Sequence, residues 1–214
     1  MNIIFTTSSH RKFLLKVENN IILVGGGGHA IACLDVIENL DSFNVLGYLD
    51  IVPTKIDLPY LGNDTEAIKY IDEASFIICI GQIKNPLPRI NAFKYLKSLN
   101  AKFATIISPL AYVSKKAEIG EGTIIMHGVT VQANVVVGEN CIINNRVLID
   151  HCSKVGNNCH ISTNVIINGD ISIGNNIFIG SGSIIKNGIS IGSDSVIGLG
   201  SKVLKNISKG DLFY

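Results

Sequence analysis

Three histidines in the second half of the chain are the first candidates for chemistry: His127, His151 and His160. Asp150 precedes His151 directly, and Cys152 follows it. An imidazole titrates near neutral pH and can take a proton from an amine or a hydroxyl, and a neighbouring carboxylate can orient the ring and raise its basicity. The pattern indicates a general base at His151, although a solvated surface histidine without a role fits the same residues.

The same three histidines are poorly spaced for a metal ion. They are separated by 24 residues (127 to 151) and by nine residues (151 to 160). Zinc ligands come from short motifs or from positions that the fold brings together around one ion. Neither separation matches a short motif or the repeat described below, so we expect no metal.

A glycine-rich turn is the second candidate site. Gly25, Gly27 and Ala30 satisfy the pattern G-x-G-x-x-G/A between an apolar run and a helical pattern, and Asp50 lies twenty residues beyond Ala30. In this layout backbone N–H groups and a helix N-terminus hold phosphates, while the carboxylate takes ribose hydroxyls. His29 lies in the first helical turn, where it can meet phosphate or sugar, or only cap the helix. The alternative is a tight turn required for packing alone.

The glycine turn belongs to an α/β segment of about ninety residues. Its apolar runs and helical patterns alternate as β-α-β-α-β-α-β, which is typical of a small parallel sheet covered by helices. We expect Asp64 to cap the short middle helix. The segment is half of a full dinucleotide-binding fold and therefore suits one nucleotide.

A six-residue repeat organises the rest of the chain. A parallel β-helix explains this period, because each six residues supply one short strand and one turn, and eighteen residues complete one triangular coil. Glycines also recur at intervals of eighteen, and residues eighteen apart are expected to stack in columns. The predicted inward positions are all isoleucine or valine: Val113, Ile119, Ile125, Val131, Val137, Ile143, Ile149, Val155, Ile161, Ile167, Ile173, Ile179, Ile185, Ile191, Ile197 and Val203.

The chain is therefore predicted to be α/β followed by β. We expect an N-terminal extension over residues 1–20, a Rossmann-like domain over 21–108 and a β-helix domain over 109–214. The last residues, KNISKGDLFY, carry no repeat and are expected to run out beyond Val203.

Composition argues against several classes of function. Charged residues make up 16% of the chain, the net charge is +1 and no basic run occurs, so binding to nucleic acid or to an anionic membrane has little support. No stretch reaches eighteen consecutive apolar residues, and we expect neither a membrane span nor a cleavable signal. Five scattered cysteines without a C-x-x-C pair indicate reduced thiols in a cytoplasmic protein.

The GGGGHA turn, the short α/β unit and the hexapeptide repeat that carries I-D-H together resemble the bacterial nucleotide-sugar N-acetyltransferases of the PglD type and their relatives, the NeuD sialic acid O-acetyltransferases. The resemblance runs from Ile21 to Val203. It implies a left-handed β-helix, assembly as a homotrimer and active sites between neighbouring β-helices. It also implies acetyl-CoA as the co-substrate.

Position by position, the resemblance assigns roles to the candidate residues. His151 matches the general base that deprotonates a sugar amine as the amine attacks the thioester of acetyl-CoA. The implied substrate is a UDP-linked amino-sugar, of the 4-amino-4,6-dideoxy type, used in bacterial surface glycan synthesis. The implied acetyl-CoA contacts are His160, Gly169 and Ser181, and the implied nucleotide-sugar contacts are Gly27, Gly28, His29, Asp50 and Gly81.

Two departures from the family pattern bear on the mechanism. Cys152 stands where the family usually has an acidic residue, and DLFY replaces the Gly-x-Pro-Ala-Lys tail near the coenzyme. Because Asp170 lies eighteen residues after Cys152, stacking places it over the vacant position. We expect Asp170 or Asp150 to orient His151, and a weakened or inactive enzyme is the alternative.

Three other functions stay open at this point. They are O-acetylation of a sialic or related nonulosonic acid, a non-catalytic β-helix that binds a nucleotide-sugar as a sensor or scaffold, and an NAD-dependent module fused to a structural prism. A hydroxyl is a poorer nucleophile than an unprotonated amine and depends more on the strength of the base. Cys152 therefore argues mildly against O-transfer.

Overall fold

The computed structural model describes residues 19–83 and 85–214. The predicted N-terminal extension therefore lies almost wholly outside the described residues. The first strand begins at Asn19, ahead of the predicted start of the first domain. Within the described ranges, no helix is long and apolar enough to cross a membrane.

A four-stranded parallel sheet forms the centre of the first domain. Its strands are β1 (Asn19–Val24), β2 (Phe43–Leu49), β3 (Ser75–Ile78) and β4 (Lys102–Phe103), in the spatial order β2-β1-β3-β4. The connections contain helix α1 (Gly28–Glu38), a 3-10 helix (Asp64–Lys69) and helix α2 (Leu87–Ser98). The predicted alternation of strands and helices is confirmed, with 3-10 turns in place of the middle α-helix.

The 3-10 helix is capped by Asn63, so the prediction that Asp64 caps it is wrong. Asn63 is the N-cap, and its side-chain oxygen accepts the backbone N–H of Thr65 at 2.9 Å. A capping residue must keep an extended backbone one step before the helix. Asn63 does so, with φ −88° and ψ 179°, whereas Asp64 is already the first helical residue.

Alternation along β1 explains why helices cover both faces of the sheet. Ile21 and Leu23 pack in the cluster that contains α1, and Ile22 and Val24 pack in the cluster that contains α2. All four are fully buried. Successive strand residues point to opposite faces, so a strand covered on both sides reads as a continuous apolar run. The two layers hold the glycine turn between β1 and α1 at the carboxyl edge of the sheet.

The second domain is a left-handed parallel β-helix, as predicted. Its strands are two residues long, and those up to β21 begin six residues apart. They are β5 (Ile106–Ile107), β6 (Tyr112–Val113), β7 (Glu118–Ile119), β8 (Ile124–Ile125), β9 (Thr130–Val131), β10 (Val136–Val137), β11 (Ile142–Ile143), β12 (Leu148–Ile149), β13 (Lys154–Val155), β14 (His160–Ile161), β15 (Ile166–Ile167), β16 (Ser172–Ile173), β17 (Phe178–Ile179), β18 (Ile184–Ile185), β19 (Ser190–Ile191), β20 (Val196–Ile197), β21 (Lys202–Val203) and β22 (Leu212–Phe213).

Consecutive strands rotate among three faces of a prism. The seven-stranded face contains β5, β8, β11, β14, β17, β20 and β22; the six-stranded face contains β6, β9, β12, β15, β18 and β21; the five-stranded face contains β7, β10, β13, β16 and β19. Pairing is parallel, and up to β21 the partners are eighteen residues apart, as for Ile142 with His160. The predicted eighteen-residue coil is confirmed.

The predicted column of β-branched residues fills the prism. Ile143, Ile161 and Ile179 have no exposed surface. Apolar residues at the turns, such as Val147 and Val165, add to the same core. The predicted positions at the open end of the first coils are only partly buried. Burying a β-branched side chain of this size contributes about 2 kcal/mol, so the column is the main source of stability in this domain.

The chain does not run out beyond Val203, and this corrects the sequence prediction. Ile207 forms a bridge with Ile191, and Leu212 and Phe213 pair with β20 as a last strand of the seven-stranded face. Ile207 and Phe213 belong to the apolar core of the prism. They cover its last coil, because an open end would leave the interior isoleucines in contact with water. The six-residue spacing is lost here, so the repeat did not reveal this strand.

Stacked polar residues hold the turns between coils. Asn140, Asn158, Asn176 and Asp194 form a side-chain ladder with hydrogen bonds of 2.9, 3.3 and 2.8 Å. Each has a positive φ between 53° and 63°. Asparagine and aspartate tolerate this left-handed conformation better than other residues with a Cβ, which explains their abundance in the repeat.

The first domain covers one end of the seven-stranded face. The outward residues of β5, β8 and β11 are Ile106, Ile124 and Ile142, and all three are fully buried in the cluster that contains α1. His160 of β14 lies at the edge of this cover, the outward residues of β17 and β20 are half-buried, and Leu212 is 65% exposed. The seven-stranded face is thus divided into a covered half and an open half.

A buried arginine joins the two domains. Arg89, in α2, has no exposed surface, and burial lowers its pKa. Its guanidinium donates to the carbonyl of Ile80 at 3.1 Å, to that of Ile78, and across the junction to that of Asn140 at 3.2 Å. These acceptors offset part of the cost of burying the cation. They also fix the strand end of the first domain against a turn of the β-helix.

Replacing Ile161 by alanine should destabilise the protein by about 2–5 kcal/mol, because the cavity opens in the middle of the column. Lys154→Ala, on the outer side of the five-stranded face, should change stability by less than about 0.5 kcal/mol. Guanidinium unfolding followed by circular dichroism compares the two variants. Equal midpoints would contradict the assignment of Ile161 to the core.

Candidate active site

His151 lies in the turn between β12 and β13, where the six-stranded and five-stranded faces meet. Its side chain is 63% exposed. Asp150 holds this turn, since one of its carboxylate oxygens accepts the backbone N–H of His151 at 2.8 Å. The other carboxylate oxygen lies 3.9 Å from Nε2 of the ring. The ring is therefore open to a substrate and close to a carboxylate.

Gly169 provides the surface on which the His151 ring rests. A Cβ atom at Gly169 would lie 2.5 Å from Cε1 of the ring and 2.7 Å from Nε2, which is closer than van der Waals contact allows. Only glycine leaves room for the ring in this position. Gly169 was predicted only as an acetyl-CoA contact, and the structure adds that it seats the candidate base.

Cys152 and Asp170 occupy equivalent turns one coil apart. Their φ angles are 60° and 58°, and the backbone N–H of Asp170 donates to the carbonyl of His151 at 3.0 Å. A cysteine in this left-handed conformation is unusual, because aspartate, asparagine and glycine adopt it more readily. Within the described residues, Asp150 and not Asp170 has its carboxylate within ion-pair distance of the ring.

His160 is in a different environment, on β14. Its side chain is 7% exposed and contacts the ring of Phe178 edge-on, with centroids 5.2 Å apart. Burial lowers its pKa to about 4, so the ring is neutral at pH 7. Nδ1 bonds to the backbone carbonyl of Gln82, and Nε2 lies 3.4 Å from the side-chain amide of Asn144. His160 is therefore a neutral hydrogen-bonding group and not a second base.

A cavity of about 790 Å³ lies on the open half of the seven-stranded face. One end is polar, with His160, Asn144, Ser162 and Ser181, and the hydroxyl oxygens of the two serines are 2.8 Å apart. The remaining wall is largely apolar and includes Phe178, Val196, Leu199, Leu212 and Tyr214. Residues of the DLFY segment thus line the cavity that contains two of the predicted acetyl-CoA contacts.

His151 and His160 lie on opposite sides of the prism. His151 is at the corner between the six-stranded and five-stranded faces, whereas His160 is on the seven-stranded face, which is opposite that corner. The apolar core fills the space between them. The structure does not bring these two predicted site residues together within one chain. A site that uses both requires two copies of the chain.

The glycine turn presents open backbone at the start of α1. A Cβ atom at Gly27 or Gly28 would meet nothing within 4 Å, and no side chain caps the helix. The carboxylate of Asp50 accepts the N–H of Gly26 at 2.7 Å, so it braces the turn in addition to the ribose role predicted for it. The ring of His29 contacts the buried thiol of Cys33 at 3.4 Å and does not cap the helix.

A second cavity, of about 440 Å³, lies beside this turn. Its walls include Gly25, Asp50, Asp64, Asn91 and Tyr95. Burial and the nearby charge of Asp50 raise the pKa of Asp64. The cavity opens at the carboxyl ends of the strands, where parallel sheets bind nucleotides.

Two residues of the site escaped sequence reasoning. Asn144 and Gln82 contact His160 from an adjacent coil and from the first domain. Neither belongs to a motif, and Gln82 is 78 residues from His160 in the chain. Within residues 19–83 and 85–214 no group of three or more histidine, cysteine or acidic side chains is placed to hold a metal ion.

The pKa of His160 has a consequence for stability. The folded-state pKa of about 4 lies below the ordinary value of 6.5, so between these values the unfolded chain binds more protons. The folded state should lose stability as the pH falls from 6.5 through 4, by on the order of 3 kcal/mol in total. NMR titration of His160 and urea unfolding at pH 7 and pH 4.5 measure this, with His160→Asn as the control that lacks the effect. A ring that titrates near 6.5 would contradict the prediction.

Family comparisons match both domains. The PglD N-terminal domain matches residues 20–96, the six-repeat bacterial transferase hexapeptide matches residues 116–151, and the hexapeptide repeat of succinyl-transferase matches residues 170–205. A comparison with curated proteins found no match.

Solved structures extend the likeness over nearly the whole chain. PerB from Caulobacter crescentus, solved with CoA and GDP-perosamine, is 26% identical with a TM-score of 0.85, over 91% of this chain and 93% of that one. The acetyltransferase domain of PglB from Neisseria gonorrhoeae, in complex with acetyl coenzyme A, is 24% identical with a TM-score of 0.85, over 91% of this chain and 95% of that one. WeeI from Acinetobacter baumannii AYE has the same fold at 20% identity and a TM-score of 0.78, over 90% of this chain and 94% of that one. With a PglD N-terminal domain followed by hexapeptide repeats, the chain is an acetyltransferase that resembles the nucleotide-sugar N-acetyltransferases of the PglD type.

Proposed function

We propose that this enzyme transfers the acetyl group of acetyl-CoA to the amino group of a nucleotide-linked amino-sugar, with His151 as the general base. The observation that carries the proposal is the exposed His151 ring seated on Gly169 at a turn of the β-helix. A relative of the same fold was solved with CoA and an amino-sugar nucleotide, GDP-perosamine. The finer assignment, a UDP-linked sugar of the 4-amino-4,6-dideoxy type for bacterial surface glycans, is the prediction from sequence.

The proposed reaction is a direct transfer. The unprotonated amine attacks the thioester carbonyl while the free ring nitrogen of His151 takes a proton from the amine. The carbon–sulfur bond then breaks, the sulfur leaves with the electron pair, and the proton passes to it. The products are an amide and the free thiol of CoA. The backbone N–H of Gly169 has no acceptor within the described residues, which supports a role as a donor to the developing oxyanion.

The cavity on the seven-stranded face suits the acyl donor. Its largely apolar strip fits a pantetheine arm, and the polar end at His160 and Ser181 fits the amide and thioester groups. The glycine turn suits the other substrate, because the open backbone at Gly27 and Gly28 and the helix N-terminus of α1 favour a diphosphate. His29, Asp50 and Gly81 lie around this turn, and the 440 Å³ cavity beside it has room for a base.

The proposed active assembly is a homotrimer, in which the His151 corner of one copy meets the seven-stranded face of the next. The outward residues of the six-stranded face support self-association, because Leu148, Ile166 and Ile184 form an apolar column that is partly exposed in one chain. The five-stranded face carries polar outward residues, such as Lys154 and Ser172. The proposal includes a cytoplasmic location, which the free thiols of all five cysteines support.

Release of CoA thiol from acetyl-CoA should occur with one or more nucleotide-linked amino-sugars in a panel of UDP-, GDP- and dTDP-amines. His151→Ala should lower kcat by about 100- to 10,000-fold, the range typical of a general base. Binding of CoA and of the nucleotide-sugar, measured by calorimetry, should persist in this variant. Turnover on free sialic acid alone would replace the proposal by O-transfer, and binding without turnover in the unaltered protein would indicate a sensor.

Asp150→Asn should lower kcat/KM by up to about fivefold, which corresponds to an exposed ion pair of at most about 1 kcal/mol. Asparagine keeps the oxygen that accepts the His151 N–H, so the turn should stay intact. Asp170→Asn is the matched control at the other candidate carboxylate and should have a smaller effect. A larger loss in Asp170→Asn would assign the orienting role to Asp170, and no loss in either would mean that His151 acts without a carboxylate.

A further inference from the structure

Gln82 joins the first domain to the acyl-donor side of the β-helix. It follows Gly81 in the loop after β3, and its side chain is 2% exposed. Its amide nitrogen donates to the carbonyls of Asn158 at 3.1 Å and Ile177 at 3.5 Å. Its own backbone carbonyl accepts a hydrogen bond from Nδ1 of His160. The residue therefore contacts the β-helix through both its side chain and its backbone.

The contact decides which ring nitrogen of His160 carries the proton. A backbone carbonyl only accepts hydrogen bonds, so Nδ1 must be the protonated nitrogen. A neutral imidazole has one N–H, and Nε2 therefore presents a lone pair. Nε2 lies near the amide of Asn144, and both residues line the 790 Å³ cavity. His160 thus accepts from the Asn144 amide through Nε2, and this pair forms part of the polar end of the cavity.

The same loop also touches the glycine turn. A Cβ atom at Gly81 would lie 3.7 Å from Cβ of His29, so the Gly81 backbone packs beside the start of α1. Gly81 and Gln82 are consecutive, so a shift of the peptide between them would move both the contact with His29 and the hydrogen bond to His160. One short segment therefore lies between the candidate nucleotide-sugar site and the candidate acyl-donor site.

The buried side-chain amide of Gln82 lowers stability, and this indicates a functional role. Its side-chain oxygen is buried without a hydrogen-bond partner in the described part of the chain. An unpaired buried oxygen is destabilising, and an apolar side chain of the same length would avoid that cost. Violations of this kind are expected at functional positions more than at purely structural ones.

We propose that Gln82 is a positioning residue that holds His160 as the Nδ1–H tautomer and thereby couples acyl-donor binding to nucleotide-sugar binding. The identity of the two ligands rests on the proposed function, whereas the tautomer does not. The side-chain hydrogen bonds to Asn158 and Ile177 hold the Gln82 backbone in place. The backbone carbonyl of Gln82 then accepts from Nδ1 of His160 and fixes the orientation and tautomer of the ring. Coupling between the two sites must be reciprocal, so each ligand should tighten the binding of the other.

Gln82→Met tests the proposal, because methionine fills the same space without the amide. In the unaltered protein, nitrogen-15 NMR should show His160 as the Nδ1–H tautomer, and in the variant a mixture of both tautomers. The Kd for CoA should rise roughly tenfold, as expected for lost hydrogen bonds. UDP or GDP should tighten CoA binding in the unaltered protein and not in the variant. Ile83→Ala is the control for the tautomer alone, since Ile83 is adjacent and lines the cavity without bonding to His160. Lys154→Ala, on the outer side of the five-stranded face, is the control for CoA binding and should leave the Kd unchanged.

Two results would overturn the proposal. An Nε2–H tautomer in the unaltered protein would do so even if Gln82→Met did not fold. An unchanged tautomer in a folded Gln82→Met variant would also do so, even if activity fell, because Gln82 would then act by another route. Failure of the proposed function would be seen separately, as absence of turnover across the donor panel with the tautomer and CoA binding intact.

Discussion

The stacking of coils eighteen residues apart is the constraint on which the rest of this structure depends. Each coil is too small to bury its isoleucine and valine side chains alone, and it gains a dry interior only when neighbours continue the column. The stacking fixes every outward residue as well, since the register of the inner column sets the position of each turn. His151 lies over Gly169 because these residues are one coil apart at the same corner.

The first domain divides the seven-stranded face of this prism into a covered half and an open half. Its α1 side covers the outward isoleucines of β5, β8 and β11, and the open strands beyond them form the floor of the 790 Å³ cavity. His160 lies at this boundary, where the loop after β3 reaches it. The polar end of the cavity is therefore built jointly by both domains. Arg89 strengthens the junction by donating to carbonyls on both sides of it.

The two histidines of the site differ because their surroundings differ. His151 is exposed at a corner, where its ring is open to a bound molecule. His160 is buried, so its charged form is disfavoured and it remains a neutral hydrogen-bonding group. In one chain they are separated by the hydrophobic core, so the proposed site that uses both has to form between two copies. The apolar column on the six-stranded face is the surface on which the proposed trimer would pack.

The sequence by itself determined the fold to a large extent. Each coil of a β-helix packs only on its neighbours, so the six-residue repeat of inward isoleucine and valine is visible directly in the sequence. Spacing also placed Asp170 above Cys152 and the glycine turn before α1. Only the tertiary structure decided that Asp150 is the carboxylate near the His151 ring, that β22 closes the last coil, and that Gln82 sets His160. These contacts join residues far apart in the chain or shift by a rotamer, and no periodic pattern carries such information. The pKa of His160 also depends on the tertiary structure, because it is lowered by burial. The sequence alone does not show that His160 is buried while His151 is exposed.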